Sequence, residues 1–271
     1  MHHTYGGTGS PVLLIHGLGS AGYLEWRFNL GALAAHHTVY APDLPGFGHS
    51  DKPALERYGL PLFTQTLLQY LDELGIKRVA AVGASLGGRI GLELALHHAQ
   101  RLSRLVLVNA LGLGRPKVQP LYPLAALPGV GELGLRAAGR GLRIAPARLI
   151  RRVVTRMAGA SGDLERLVDD AYIEELRRTY GARDWRAAYL GTVRSLMRLG
   201  GQDLSGRLGS ITMPVLLVWG SADQLFPLEH ATRAHRLLPD SRLVVLDGAG
   251  HTPEAERPEQ FNEALIDFLG G

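Results

Sequence analysis

The stretch Arg78–Gly88 constrains the fold of this chain more than any other. It reads RVAAVGASLGG, so an apolar run at 79–82 leads into a turn that carries Ser85, and a segment with helical spacing follows. Because glycine has no Cβ, Gly83 and Gly87 allow a strand and a helix to approach closely around a strained serine. The pattern predicts a nucleophile elbow, with the positive end of a helix directed at whatever Ser85 attacks. The alternative is a plain turn in which Ser85 only caps the helix.

Apolar runs typical of buried strands alternate with helical segments along most of the chain. The strand-like runs are Pro11–Ile15, Thr38–Ala41, Val79–Val82, Leu105–Val108, Pro214–Trp219 and Arg242–Leu246. The helical segments outside 112–205 are roughly Tyr23–Ala34, Leu60–Leu74, Arg89–His98, Pro227–Leu238 and Pro258–Leu269. This alternation predicts an α/β fold with a mostly parallel sheet, doubly wound, with helices on both faces.

Residues 112–205 interrupt this rhythm and predict a helical insertion. Apolar residues recur at helical spacing in Pro146–Ala158, Asp163–Thr179 and Asp184–Leu199. The insertion holds 16 Lys and Arg against 9 Asp and Glu. We therefore expect a core domain of residues 1–111 and 206–271 and a cap of residues 112–205, lying over the C-terminal edge of the sheet and roofing a pocket. The alternative is an ordinary helical subdomain with no part in substrate choice.

Composition narrows the cellular context and the possible partners. The chain has 271 residues, enough for one large domain with an insertion, and no cysteine, which excludes a disulfide framework, a thiolate nucleophile and a Cys-ligated metal. It has neither a signal-peptide profile at its start nor an apolar run near the roughly 18 residues that span a bilayer. We expect a cytoplasmic protein with no membrane partner.

The net charge of +4 and the pI of about 9.5 raise the possibility of a nucleic-acid partner. The charge is nearly all arginine, however, and it is spread beside acids through predicted helices. No basic run with interleaved aromatic residues is present in the sequence. We therefore expect solvated helix faces and no nucleic-acid partner.

Three residues with complementary chemistry follow three of the predicted strands. Ser85, Asp223 and His251 each lie in a turn just past a buried strand, and in a parallel sheet such turns meet at one edge. Their order along the chain is the one expected for a triad built on this elbow. A serine hydroxyl needs a base, an imidazole titrates near neutral pH, and a buried carboxylate fixes its tautomer. Backbone N–H groups of Leu18 and Leu86 would then hold the oxyanion.

Each of these residues also has a structural alternative. Most histidines are structural or solvated, but His251 lies in a glycine-flanked turn after a strand. Asp223 could cap the helix predicted near Pro227. The second possible acid position, at the end of Leu105–Val108, holds Asn109, which cannot carry the charge. Taken together, the three positions favour the catalytic interpretation, which requires no metal and no cofactor.

Five segments together resemble the α/β-hydrolase superfamily, specifically its capped, esterase-like serine hydrolases. They are Leu14–Gly19, Pro42–Ser50, Val82–Gly88, Val218–Asp223 and Gly248–Pro258. The resemblance implies the triad, the oxyanion hole at Leu18 and Leu86, and a lid formed by the insertion. It also implies that His16 and Asp43 shape loops and do not react. Relatives usually carry an antiparallel hairpin before the first of these segments, whereas only ten residues precede Pro11 here, so that sheet edge is expected to be short or absent.

Within this superfamily, the residue at the nucleophile position limits the possible reaction classes. A serine at position 85 disfavours the dehalogenases and epoxide hydrolases that use aspartate. We expect a carboxylesterase-type serine hydrolase acting on small to medium apolar esters through an acyl-enzyme, as a monomer or homodimer. Carbon–carbon bond hydrolases of ring-cleavage (meta-cleavage) products usually have asparagine before the serine and tryptophan after the histidine, where this chain has Ala84 and Thr252. They rank second, followed by lactonases and relatives such as haloperoxidases and hydroxynitrile lyases. A catalytically silent binding protein is the non-enzyme alternative.

Overall fold

A seven-stranded sheet forms the centre of the computed structural model, which describes residues 1–53, 58–117, 124, 126–158, 167–180, 185–198 and 203–270. The strands are β1 (His3–Gly6), β2 (Pro11–Ile15), β3 (Thr38–Pro42), β4 (Val79–Ala84), β5 (Leu102–Val108), β6 (Val215–Gly220) and β7 (Ser241–Leu246). Their order in the sheet is β1-β3-β2-β4-β5-β6-β7, and β2 to β7 are parallel. The predicted α/β fold is confirmed.

The N-terminal edge of the sheet is short but present. β1 pairs antiparallel with β3, from His3 opposite Pro42 to Gly6 opposite Val39. Four residues containing a glycine are too few to show the alternation that identifies a strand in a sequence. Pairing with β3 supplies the backbone hydrogen bonds that make this segment a strand.

The helices follow the predicted pattern with two main differences. They are α1 (Gly22–Trp26), α2 (Leu30–Ala34), α3 (Leu60–Glu73), α4 (Leu86–His97), α5 (Val130–Ile144), α6 (Ala147–Ala158), α7 (Asp170–Tyr180), α8 (Trp185–Arg198), α9 (Leu228–Leu237), α10 (Pro253–Glu256) and α11 (Pro258–Leu269), with 3₁₀ turns at Ala99–Arg101 and Ser205–Ser210. The helix expected over Tyr23–Ala34 is two short helices with a turn between them, and in that turn the Asn29 side chain donates to the Glu254 carbonyl and to Asn262. The helix α5 was not predicted from the sequence, because its four glycines weaken the helical pattern. The predicted residues 163–166, 184 and 199 lie outside the described ones.

Alternating side chains of the buried strands supply two apolar layers. In β2, Leu13 and Ile15 face a layer formed with α3, α4 and α9, whereas Val12 and Leu14 face a layer formed with α1, α2 and α11. Successive residues of a strand point to opposite faces, so a strand covered on both faces must be apolar throughout. Among the described helices, none is both long and apolar enough to cross a membrane.

The helices α5 to α8 follow β5 and precede β6 along the chain, and their inner side chains form a separate apolar cluster. Ile150, Ile173 and Trp185 are buried in it together with Leu24 of α1. The Tyr180 hydroxyl donates a hydrogen bond of 2.9 Å to the Ser20 carbonyl. These contacts join the insertion to the segment after β2, at the C-terminal edge of the sheet. That the insertion roofs a substrate pocket, and that it spans 112–205, remain predictions.

Candidate active site

Ser85 lies at the tip of the turn between β4 and α4 in a strained backbone conformation. Its φ is 51° and its ψ is −110°, a combination that residues with a Cβ rarely adopt. The two glycines permit the turn: a Cβ on Gly83 would lie 2.3 Å from the Gly87 carbonyl carbon, and one on Gly87 would lie 2.0 Å from the Ile15 oxygen. This is the close approach of strand and helix that the sequence predicted.

His251 and Asp223 are in contact, although 28 residues separate them. The Nδ1 of His251, in the turn after β7, lies 2.9 Å from Oδ2 of Asp223, in the turn after β6. The Asp223 side chain is fully buried, whereas that of His251 is 16% exposed. Because a carboxylate only accepts hydrogen bonds, Nδ1 carries the proton, and Nε2 is left with the lone pair that a general base needs.

The Asp223 carboxylate is held by backbone groups as well as by His251. Its Oδ1 accepts hydrogen bonds from the N–H groups of Leu225 at 2.7 Å and Phe226 at 3.0 Å. Its Oδ2 also accepts one from Nδ2 of Asn109 at 2.5 Å. With four donors around it, the carboxylate has one orientation, and that orientation sets the direction of the imidazole.

Asn109 links the turns that carry the three residues, a role that the sequence did not indicate. Its Nδ2 donates to Asp223 and to the Gly250 carbonyl at 3.0 Å, and its Oδ1 accepts from the N–H of Gly220. The preceding residue, Val108, accepts a hydrogen bond from the N–H of Ser85 at 2.9 Å. The sequence showed only that Asn109 could not act as the acid. An amide is suited to this position because it donates and accepts at once.

Ser85 thus lies beside Asn109 at the edge of the sheet where His251 and Asp223 meet. Within the described parts of the chain, no hydrogen bond joins Oγ of Ser85 to the His251 ring. The histidine–aspartate pair is therefore a feature of the structure, and the complete triad stays a prediction.

Gly17, which precedes Leu18, packs directly against Ser85. A Cβ on Gly17 would lie 3.4 Å from Cβ of Ser85. Leu86 is the first residue of α4, so its N–H has no acceptor within the helix. The two predicted oxyanion donors therefore belong to segments on either side of the serine, and their role in holding an oxyanion stays a prediction.

His16 and Asp43 hold the loops near this turn, as the resemblance implied. His16 is fully buried, donates from Nδ1 to the Gly17 carbonyl at 2.8 Å and accepts the N–H of Leu44 at 2.9 Å. Asp43 accepts N–H groups of Gly22 and His49 at 2.7 and 2.8 Å. Both side chains have their polar atoms engaged in fixing the backbone.

Glu256 fixes the His251 loop and was also missed from the sequence. Its Oε2 accepts the N–H of Gly250 at 2.9 Å, and its Oε1 accepts the N–H of Thr252 at 3.1 Å. The N–H groups of the residues before and after His251 are thus bonded to one buried carboxylate. The signal in the sequence was an acidic residue five positions after the histidine, in the turn that begins α10.

Glu254 is a second buried acid near the site, with different surroundings. Burial raises the pKa of its carboxyl well above the ordinary value, and the charge of Glu25 raises it further. Glu25 in turn accepts the N–H of Gly17 at 3.3 Å. The Oε2 atom of Glu254 has no hydrogen-bond partner among the described residues, which suits a neutral carboxyl better than an ionised one.

Replacing Glu254 with glutamine should make unfolding less dependent on pH. The folded protein keeps the Glu254 proton to a higher pH than the unfolded chain does, so wild-type stability falls as pH rises from about 4.5 towards the raised pKa. The Glu254→Gln variant lacks this loss. We expect its unfolding free energy relative to wild type to increase by about 1 kcal/mol or more between pH 5 and pH 9.

Urea denaturation at pH 5, 7 and 9 measures this difference. The matched control is Glu263→Gln, which changes an exposed glutamate on α11. Its unfolding free energy should differ from that of wild type by the same amount at all three pH values. Parallel curves for Glu254→Gln and wild type would show that Glu254 does not keep its proton in the folded protein.

Comparisons with known proteins agree with this architecture. The family described as alpha/beta hydrolase fold matches residues 10–258. A 2-hydroxy-6-oxononadienedioate/2-hydroxy-6-oxononatrienedioate hydrolase from Cupriavidus pinatubonensis is 31% identical over 270 residues, which cover 98% of this chain and 88% of that protein. The solved structure of a meta-cleavage product hydrolase from Pseudomonas fluorescens IP01 is 25% identical, with a TM-score of 0.79, and the match covers 99% of this chain and 93% of that one.

A thermophilic esterase from Thermogutta terrifontis is also similar in structure, with a TM-score of 0.74 over 99% of this chain and 92% of that one. At 23% identity this likeness concerns the fold alone. The family match covers most of the chain and includes the segments that carry Ser85, Asp223 and His251. This chain therefore belongs to the alpha/beta hydrolase fold family.

Proposed function

We propose that this protein is a serine hydrolase that cleaves carboxylic esters of small to medium apolar substrates. The observation that carries the proposal is the hydrogen bond between His251 and the buried Asp223, at the sheet edge where Ser85 is held in a strained turn. Nucleophilic acyl transfer needs a serine hydroxyl within reach of an oriented imidazole, and the partly buried Ser85 and the His251 ring belong to turns at the same edge of the sheet. The contacts of Asn109 with the Asp223 turn and of its neighbour Val108 with Ser85 support a common site.

In this proposal the reaction has two halves. Ser85 Oγ attacks the ester carbonyl while His251 Nε2 takes its proton, and the N–H groups of Leu18 and Leu86 stabilise the oxyanion. His251 then returns the proton to the leaving alcohol, which leaves an acyl group on Ser85. In the second half His251 removes a proton from water, the hydroxide attacks the acyl carbon, and the acid product leaves as the serine regains its proton. Asp223 stabilises the imidazolium in both halves.

Carbon–carbon bond hydrolysis is the second candidate, and the comparisons favour keeping it. The relative from Cupriavidus pinatubonensis and the structure from Pseudomonas fluorescens both carry names of that reaction class. Against it, Ala84 and Thr252 stand where such enzymes usually have asparagine and tryptophan. Ala84 offers no side-chain hydrogen bond next to the nucleophile, whereas recognition of a dienoate's polar groups needs donors.

A substrate panel separates these candidates. We expect the protein to hydrolyse p-nitrophenyl esters with acyl chains of two to eight carbons at least tenfold faster, in kcat/KM, than a ring-cleavage dienoate. A fluorophosphonate probe should label Ser85, with the labelled peptide identified by mass spectrometry. Faster release from the dienoate would establish the second candidate. Absence of both turnover and labelling would favour a catalytically silent binding protein.

A further inference from the structure

The first two helices of the insertion, α5 and α6, expose apolar and cationic side chains together. Of the fourteen large apolar side chains exposed in the described parts of the chain, seven lie between residues 124 and 153. Ile144 is 84% exposed, Leu133 69% and Leu149 52%. Isolated exposed apolar residues are common on protein surfaces, but a concentration of them in one segment marks an interaction site.

Four of these seven side chains, together with two arginines, form one stripe on each helix. We use the name α5–α6 face for the outer stripes of the two helices. They consist of Leu133, Arg140 and Ile144 on α5 and Leu149, Val153 and Arg156 on α6. Spacings of three, four, seven and eleven residues place each set on one side of its helix.

The apolar residues of this face differ from those that pack inside the insertion. Leu135 and Leu142 of α5 and Ile150 and Val154 of α6 already pack into the apolar cluster that includes Ile173 of α7. Both helices contact α7, and only Ala145 and Pro146 connect them. Each helix therefore has an inner apolar stripe that holds it to the insertion and an outer one turned away from it.

The charge of this segment is strongly one-sided. Residues 130–158 contain seven arginines and one acid, Glu132, which forms an ion pair with Arg194 of α8. Arg136, Arg140, Arg148, Arg152 and Arg156 are all exposed. Solvated helix faces were expected because the arginines of the chain are spread beside acids. For α5 and α6 that premise is wrong, since the remaining acids of the insertion follow residue 158. The expectation of no membrane partner came from the absence of an apolar run that could span a bilayer, which does not bear on binding to a membrane surface.

From this face we propose that the protein binds reversibly to the surface of an anionic lipid bilayer through α5 and α6. Arginines attract the anionic headgroups, and apolar side chains between them enter the boundary of the acyl chains, as in amphipathic helices that lie in the membrane plane. A second copy of the chain fits less well, because a symmetric dimer through this face would set arginines against arginines. Phosphate contacts alone, as on a nucleic acid, would leave Ile144 and Leu149 exposed.

Co-sedimentation with vesicles tests the proposal. We expect wild-type protein to bind vesicles of equal parts phosphatidylglycerol and phosphatidylcholine at least tenfold more tightly than vesicles of phosphatidylcholine alone, and to lose most of this preference in 0.5 M NaCl. The variants Leu149→Glu/Arg156→Glu and Arg140→Glu/Ile144→Glu should each weaken binding to the anionic vesicles at least tenfold.

The matched control is Arg236→Glu/Leu237→Glu on α9, which makes the same change of charge at exposed residues and should alter binding less than twofold. All variants should melt cooperatively and hydrolyse a dissolved short ester like wild type. Wild-type binding that is absent or insensitive to salt, or equal loss in the control, would overturn the proposal. A dimer in light scattering that Leu149→Glu/Arg156→Glu dissociates would overturn it too, since a second copy would then cover the face.

Discussion

Replacing Ser85 with alanine should lower kcat for the best ester substrate by about 10⁴-fold or more, with the fold unchanged. The loss is this large because the proposed acyl-enzyme forms only on the Ser85 hydroxyl, and the oxyanion donors alone give a small residual rate. Alanine keeps the Cβ, so the strain of the turn and the thermal midpoint should be nearly those of wild type.

A glycine at the same position separates the loss of catalysis from the effect of backbone strain on stability. Ser85→Gly should be as inactive as the alanine variant but more stable by about 1 kcal/mol, because glycine tolerates a φ of 51°. Ser221→Ala, which removes an exposed hydroxyl in the turn after β6, is the matched control and should retain activity. Steady-state kinetics and thermal unfolding measure both effects. More than a few per cent of wild-type turnover in Ser85→Ala would remove this serine from the mechanism.

Replacing Asp223 with asparagine should reduce kcat by about 10⁴-fold with little change in KM. An amide at position 223 can donate to Nδ1 of His251, which places the imidazole proton on Nε2 and leaves no base for Ser85. The amide would also face Nδ2 of Asn109, a second donor that now lies 2.5 Å from the carboxylate. The catalytic loss should therefore come with reduced stability.

The control for this variant is Asp247→Asn, which changes an exposed aspartate in the turn after β7 whose carboxylate accepts a hydrogen bond from Ser221. It should retain wild-type kinetics and stability. Burst kinetics with a p-nitrophenyl ester add a second measurement, since the burst of product should vanish in Asp223→Asn if acylation is the impaired step. A loss of less than about tenfold would mean that another acid supports His251.

The sequence predicted those parts of the structure that depend on local pattern. Buried parallel strands must be apolar throughout, and each is followed by a turn at the same edge, so Asp223 and His251 could be placed together before their 2.9 Å contact was known. The glycines around Ser85 were equally informative, because the turn cannot form with a Cβ at Gly87.

The parts that the sequence did not predict depend on contacts between distant residues. Asn109 was recognised only as a residue unable to act as the acid, since nothing near it shows that β6 and the His251 loop will place two acceptors and a donor around its amide. The helix α5 was not predicted because its glycines weaken the local helical pattern. It forms nevertheless because it packs on α7 and α8. The strand β1 exists only through its partner β3.

The hydrogen bonds that orient His251 and Asp223 all come from residues outside the inserted helices. Asn109 precedes the insertion, whereas Leu225, Phe226 and Glu256 follow it. Under the two proposals made above, an exchange of those helices between relatives would change substrate access and membrane binding and would leave these hydrogen bonds intact. One contiguous stretch of such a gene could then diverge while the residues that position the histidine and the aspartate, encoded on either side of it, stay the same.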